Sequence, residues 1–308
     1  MNISVVVPTY RSPGTLSELV ARITAISTWT SDSEILIIDD GNLDSTWETI
    51  NSIAKRHPNV RGFRLQQNVG QHAALLCGIR SARNDFIVTI DDDLQNPPEE
   101  IPTLMEALDD SVDVVVGIPQ FDRHSKFRQL SSRWSKQLMA RVLGYELATL
   151  ISPFRLFRSR LRESFGTYIG PNVSIDALLV LATKRYKSVP VQHIARTQGH
   201  STYSLRKLVG FFSTSATSAS VVPLRIATKV GYLALFVSFV LLVVTVVRRL
   251  LIGDVVSGFP FLASLIAATS GVQLLLLGVL GQYIGHMHYR VLGTPSYVVL
   301  NETDGSAA

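Results

Sequence analysis

From residue 3 to about residue 117 the chain alternates short apolar runs with longer amphipathic stretches. The runs occupy 3–7, 35–38, 60–65, 86–90 and 112–116 and are rich in Val and Ile. Runs that stay apolar on both sides of the pleat predict strands covered on both faces. Helical periodicity fills the intervals near 14–26, 44–56, 70–83 and 98–108. Strand–helix alternation of this kind predicts an α/β sheet with mostly parallel strands. Ligands of such sheets bind beyond the carboxyl ends of the strands. Polar clusters fall at three of those ends, Pro8-Thr9-Tyr10, Asp39-Asp40-Gly41 and Asp91-Asp92-Asp93, and predict one cleft.

The pattern loosens from 124 to about 225, where arginines multiply. Residues 204–226 mix large apolar side chains with small polar ones and the basic pair Arg206-Lys207. They read either as an amphipathic segment in a membrane interface or as a helix packed on the preceding domain. Two uncharged stretches follow, from Lys229 to Arg248 and from Asp254 to His286. Each matches the roughly 20 residues that a helix needs to cross the hydrocarbon core. The chain thus divides into a domain over 1–203, the segment 204–226, two spans within 227–290 (about 229–249 and 257–285) and a tail over 291–308. The tail after Leu300 reads as disordered. The opening MNISVVVPTY enters a strand directly, without a signal-peptide pattern. Basic residues on the outer flanks of the spans favour both termini in the cytosol. A multi-pass protein of the inner membrane is expected.

Composition adds direction. The 308 residues are 46% hydrophobic and only 17% charged, because the uncharged stretches dilute the rest, and the net charge is +5. Much of that charge lies between 123 and 229, which suits anionic lipid heads or a phosphate-bearing substrate. No helix-turn-helix, zinc-finger or aromatic RNA-binding pattern appears, so nucleic acid is not an expected partner. The single cysteine, Cys77, excludes an internal disulfide and reads as a small buried side chain.

The strongest chemical signal is DDDLQNPPE at 91–99, directly after an apolar run. Crowded carboxylates repel one another unless a cation relieves them, and a hard divalent cation takes one or two carboxylates plus substrate phosphate oxygens. In an extended segment Asp91, Asp93 and Gln95 share one side. Asp39 and Asp40 end another run and could accept hydrogen bonds from a ribose or base. Tyr10 could stack on a base, or could be a structural tyrosine at the sheet edge. His72 reads as a packing or supporting residue.

In family order, VVVPTY at 5–10, IIDDG at 37–41, NVGQHAALLCGI at 68–79, TIDDDLQNPPEEIP at 89–102, FRLF at 154–157 and RTQGHSTYS at 196–204 make the resemblance specific. The chain resembles the family 2 inverting glycosyltransferases of GT-A (Rossmann-like) fold. Within them it looks like the polyprenyl-phosphate group, that of dolichol-phosphate mannose synthase and the bacterial undecaprenyl-phosphate sugar transferases. The resemblance implies a nucleotide-sugar site of Pro8, Tyr10, Asp39, Asp40, Asp91 and Asp92. It implies Mg²⁺ or Mn²⁺ held by Asp91, Asp93 and Gln95. The family often carries an acidic residue soon after its PTY-like motif and Ser-Lys in the late one. Here Arg11-Ser12 and Ser201-Thr202 stand instead.

A lipid phosphate is largely dianionic near neutral pH and needs no general base, only cations that offset its repulsion from the donor diphosphate. Arg128, Arg133 and Arg155 are the expected acceptor contacts, with Arg196, Ser201 and Arg206 contributing from the late motif; the arginine fork suits phosphate. Asp93 is the carboxylate on which turnover is expected to depend. Asp176 sits where relatives that glycosylate hydroxyls keep a base, and it could serve as base or merely orient the acceptor. The expected reaction moves one sugar from a nucleotide sugar, UDP-linked in preference to GDP-linked, to a polyprenyl phosphate. The alternatives are transfer to a hydroxyl with Asp176 as base, and a membrane scaffold that only binds nucleotide sugar. A homo-oligomer is left open.

Overall fold

The computed structural model describes residues 1–119, 152–170, 173–194 and 258–303, with single positions between 229 and 251. The expected strands and helices form in register with the sequence pattern. They are β1 (Ile3–Thr9), α1 (Pro13–Thr24), β2 (Glu34–Asp39), α2 (Thr46–Arg56), β3 (Val60–Leu65), α3 (Gln71–Ser81) and β4 (Phe86–Thr89). A 3-10 turn (Pro98–Glu100), α4 (Ile101–Glu106) and β5 (Val114–Pro119) follow. After these come β6 (Arg155–Arg158), α5 (Ile175–Ala182), β7 (Tyr186–Val191), α6 (Phe259–Val291), which covers most of the stretch expected as the second span, and β8 (Val299–Glu302).

The sheet order is β7-β5-β6-β4-β1-β2-β3-β8. The pairs β1–β2, β1–β4, β2–β3 and β5–β7 are parallel, whereas β6 runs antiparallel to both β4 and β5, and β8 antiparallel to β3. The sheet is therefore mixed, with four of its seven pairs parallel and only β6 and β8 running against the rest. Because β6 runs backwards, its first residue Arg155 lies beside Thr89 and Val116, at the carboxyl edge of the parallel strands.

Successive strand residues serve opposite cores, as the pleat requires. Val5, Val7, Ile35, Ile37, Val88 and Leu156 join Leu16, Leu19, Ile50, Ile53 and Leu104 on the face covered by α1, α2 and α4. Val6, Leu36, Ile38, Val114, Val116 and Phe157 join Leu75, Leu76, Cys77, Ile175 and Leu179 on the other, under α3 and α5. Cys77 is buried there as expected. Helix α3 lies unusually close to the sheet: a Cβ on Gly78 would stand 2.3 Å from Val6 Cγ1 and 3.2 Å from Ile38 Cγ1.

Residues 301–303 do not follow the expectation of disorder after Leu300. Asn301 and Glu302 belong to β8. Arg61 bridges Glu34 (3.2 Å) and Glu302 (3.0 Å), and the amide of Gly62 donates to Thr303 Oγ1 at 2.9 Å. Cross-strand charge pairing and backbone bonding outweigh the polar composition of the segment.

Helix α6 has 33 residues, about 50 Å at 1.5 Å each. Its exposed residues include Leu262, Ile266, Leu274, Leu277, Leu280 and Ile284. Among the described residues, no helix is long and apolar enough to cross a membrane. Segment 204–226 lies outside the described residues, as does much of the first expected span.

Gly78→Ala is expected to overpack the α3–sheet contact and to cost about 1–3 kcal/mol. Thermal unfolding of the purified chain checks this, and an unchanged midpoint contradicts it.

Candidate active site

Three loops leave the carboxyl edge side by side and enclose a cleft of about 210 Å³ lined by Pro8, Thr9, Tyr10, Ser12, Asp40, Gln71, Asp91, Asp92 and Asp93. The three polar strand ends expected from the sequence thus do meet.

After β2 the chain turns at Gly41, with φ +69°. A Cβ there would lie 2.3 Å from the backbone carbon of Gln67, so the turn requires glycine. The two aspartates before it have separate tasks. Asp40 Oδ1 and Oδ2 accept from the amides of Val69 (2.8 Å) and Gly70 (2.9 Å), which fixes the entry to α3. Asp39 is fully buried; its Oδ1 accepts from the amide and side chain of Asn42 at 3.1 and 2.5 Å. Its Oδ2 has no hydrogen-bond partner among the described residues, with Arg64 Nε 3.6 Å away. Burial raises the pKa of both carboxyls, opposed at Asp39 by the Asn42 bonds and at Asp40 by the two amides. Of the pair, Asp39 retains an unused acceptor, while Asp40 is spent on shaping the loop.

The aspartate triplet is a turn rather than the extended segment expected. Leu94 adopts φ +59° and packs against the core, which reverses the chain before Pro97-Pro98. A non-glycine residue in that region is strained and is held by its surroundings. Strict side-to-side alternation is therefore lost. Asp92 turns back onto the β1 loop, its Oδ2 accepting from Thr9 Oγ1 at 2.6 Å. Asp91 Oδ1 accepts from Gln71 Nε2 at 2.6 Å. Asp93 Oδ2 accepts from Gln95 Nε2 at 2.7 Å. Arg22 on α1 clamps Glu99 through two bonds of 2.9 and 2.7 Å and anchors the exit.

Among the described residues, no three His, Cys, Asp or Glu side chains form a ready-made metal-binding group. The donor set is instead that of a partial site. Asp91 and Asp93 both face the cleft, and burial, then Asp93 and Asp92, push Asp91 up to about 7. A carboxylate so disfavoured fits a divalent cation that draws its remaining ligands from a phosphate. Gln95 is near, held on Asp93.

Tyr10 is about half exposed at the cleft mouth, with the Arg11 guanidinium 5.1 Å from its ring centre. Arg11 itself has φ +58°. Where an acidic residue was expected, a cation–π pair stands.

Arg155 departs from its expected place. It is 2% exposed, and its Nη1 lies 2.5 Å from Asp176 Oδ1. A guanidinium drawn into the sheet between β4 and β5 needs a counter-charge, and Asp176 on the first turn of α5 supplies it. Arg155 is thus an internal partner of Asp176 and not an open contact for an acceptor. Arg128, Arg133, Arg196, Ser201 and Arg206 lie outside the described residues. The residues not expected at the site are Ser12 and Gln71, which line the cleft, and Asn42 and Arg64, which hold Asp39. Gln71 sat inside a motif already singled out; Asn42 and Arg64 gave no signal.

Comparison with known proteins follows the same line. The pattern of the glycosyl transferase family 2 matches residues 4–165. The chain is 33% identical over 303 residues to the undecaprenyl-phosphate 4-deoxy-4-formamido-L-arabinose transferase of Edwardsiella ictaluri, covering 97% of this chain and 93% of that one. The enzyme of the same name from Aeromonas hydrophila is 31% identical over 301 residues, with 96% and 92% covered. Among solved structures, glucosyl-3-phosphoglycerate synthase from Mycobacterium tuberculosis shares the fold at 20% identity and a TM-score of 0.51, over 72% of this chain and 81% of that one. S. aureus TarS 1-349 in complex with UDP-GlcNAc does so at 18% identity and 0.51, over 71% and 66%.

The raised pKa of Asp91 has a pH signature. The folded chain holds a proton that the unfolded chain releases near the ordinary carboxylate value of about 3.9. The associated stability is complete below that value and is lost as pH rises toward about 7. Without divalent cation the thermal midpoint should fall between pH 5 and 8, and Mn²⁺ should restore more at pH 8 than at pH 5. Asp91→Asn should flatten both trends; profiles that superimpose on wild type contradict the assignment.

Proposed function

The chain belongs to glycosyl transferase family 2, and on that premise we propose that it transfers one sugar from a nucleotide sugar to undecaprenyl phosphate, with inversion at the anomeric carbon. An oxygen of the lipid phosphate attacks C1. The C1–O bond to the donor diphosphate breaks, and its electron pair leaves with the diphosphate. No proton has to move, so no base is required.

The observation that carries this acceptor is the ion pair of Asp176. A hydroxyl acceptor would need a free base, and Asp176 Oδ1 is occupied by the buried guanidinium of Arg155 at 2.5 Å. The relatives that match over nearly the whole chain carry undecaprenyl phosphate in their names.

The donor side draws on residues already described. Asp39 Oδ2 has no hydrogen-bond partner among the described residues and suits an N–H of the nucleobase, and Tyr10 lines the cleft. A UDP-sugar is the preferred donor. Asp91 and Asp93, with Gln95 released from Asp93, would hold Mg²⁺ or Mn²⁺ against the diphosphate. When bound, that cation neutralises charge growing on the leaving group. Asp40 and Asp92 line the cleft and also hold its loops: Asp40 fixes the start of α3, and Asp92 bonds the loop after β1 through Thr9.

We assign the chain to the inner membrane with spans near 229–249 and 257–285, the segment 204–226 at the interface, and the catalytic domain and both termini in the cytosol. The uncharged stretch ahead of His286 lies mostly within a 33-residue helix. The pairing of β8 with β3 supports an even number of crossings, since both ends of the chain join one sheet.

The test is a donor panel, including UDP-4-deoxy-4-formamido-L-arabinose, with mass analysis of the lipid product. Undecaprenyl phosphate should gain one sugar mass with one donor, and undecaprenol should gain none. Asp93→Asn should lower turnover by at least about a hundredfold while the chain stays folded. Transfer to undecaprenol at a comparable rate, or near wild-type turnover by Asp93→Asn, sinks the reading.

A further inference from the structure

Helix α3 starts at the cleft, and its first two residues work in opposite directions. Gln71 reaches Asp91, its Nε2 donating to Oδ1 at 2.6 Å. His72 reaches α5. Its Nδ1 accepts from the amide of Ile175 at 3.4 Å, and its Nε2 lies 3.9 Å from Asp176 Oδ2. Because Nδ1 is the acceptor, it carries no proton. The proton of the neutral ring is on Nε2, facing the carboxylate. Burial, the largest influence on His72, lowers its pKa and keeps the ring neutral. Asp176 thus has Arg155 on one oxygen and His72 beside the other.

Adjacent residues on a helix point about 100° apart and cannot serve one target. Here the divergence puts one turn of helix between two groups. One is Asp91 of the carboxylate cluster; the other is the buried Asp176–Arg155 pair, whose positive charge acts on Asp91. The turn itself is fixed at both ends. Asp40 grips the amides of Val69 and Gly70, and Gly78 seats the helix on Val6.

We propose that Gln71 and His72 are positioning residues of the transfer reaction, Gln71 setting the carboxylate of Asp91 and His72 setting the Asp176–Arg155 pair, so that the first turn of α3 holds the two at a fixed separation. This rests on the transfer reading above.

The two halves have separate readouts in the purified full-length chain. Gln71→Leu should weaken calorimetric binding of UDP in the presence of Mn²⁺ by about tenfold, the usual effect of losing a hydrogen bond to a charged group. UDP binding without metal should stay within twofold. His72→Leu should lower kcat at least about tenfold, with Mn²⁺-dependent UDP binding unchanged. His72→Gln carries an amide nitrogen where Nε2 stands, and should recover most of the rate. His72→Asn can replace only the contact with Ile175, and should not.

Wild-type Mn²⁺–UDP affinity in Gln71→Leu overturns the first half. Three results overturn the second: an unchanged kcat in His72→Leu, equal rescue by Asn and Gln, or losses that merely follow a fall in thermal midpoint. A wild-type chain that forms no lipid-linked sugar removes the transfer reading, and the His72 assignment with it. The binding measurement on Gln71 stands apart from turnover and still decides its own half.

Discussion

A buried guanidinium must have a counter-charge, and much of the site is arranged around that requirement. Arg155 is drawn into the sheet because β6 runs antiparallel between β4 and β5 and begins at their ligand-binding edge. Stripped of water and left alone there, it would cost several kcal/mol, and breaking such a pair costs about 3–5 kcal/mol. Asp176 therefore has to stand on the first turn of α5, and α5 has to dock where that turn reaches Arg155. Ser174 caps the helix by accepting from the amide of Ala177, which aims the turn. A residue position that could have supplied a base becomes half of a fixed pair.

Negative charge on the opposite side of the cleft is handled differently. Five aspartates gather at two strand ends, and no two share the same surroundings. Asp40 is neutralised by backbone amides, Asp92 by Thr9 and its loop, and Asp39 in part by Asn42. Asp91 and Asp93 take the neutral side-chain amides of Gln71 and Gln95, and the Gln95 backbone amide also donates to Asp93 Oδ1 at 3.1 Å. An amide offers only a dipole against a full charge, and at Asp91 burial and the charges of Asp93 and Asp92 outweigh the opposing charge of Arg155. That imbalance, more than their spacing, is the ground on which those two are proposed as the cation-binding pair.

The sequence pattern carried the parallel core and its helices, because Val- and Ile-rich runs buried on both faces leave little ambiguity. It missed β6, β7 and β8 for distinct reasons. Strand β6 has four residues with arginine at each end, so charge hides its apolar centre. Strand β7, YKSVPV, is at the sheet edge and exposes half its residues. In β8 every residue is exposed, and only pairing with β3 gives it a structure. The site was legible as a set of aspartates but not as a division of labour. Which of Asp39 and Asp40 keeps a free oxygen depends on Asn42 and the Val69–Gly70 amides, and nothing in the string IIDDG states it. Arg155 was expected as an acceptor contact, and its side chain is buried against Asp176; a motif names a residue without saying which way its side chain leaves the sheet.

The last strand constrains what lies between it and the rest. A chain whose first and last strands join one sheet must return to the side it left, so any excursion into a bilayer between residues 194 and 296 has an even number of crossings. The return is secured close to the end of α6: Ser296 Oγ donates to the carbonyl of Gly170 at 2.7 Å, the Arg80 guanidinium lies 5.7 Å from the Tyr297 ring centre, and Gln66 takes the carbonyl of Val298 at 2.9 Å. Only a few residues separate the helix from these anchors, too few for the domain to swing far from the helix end. Gly170 in turn belongs to the stretch that leads into α5, and Arg80 to the last turn of α3, the two helices whose first turns carry Asp176, Gln71 and His72. The strand that fixes the return of the chain is thereby bonded to the same two helices that fix the cleft. In the topology proposed above, a domain held this way would meet its lipid at a set height and orientation, as a phosphate confined to a surface requires.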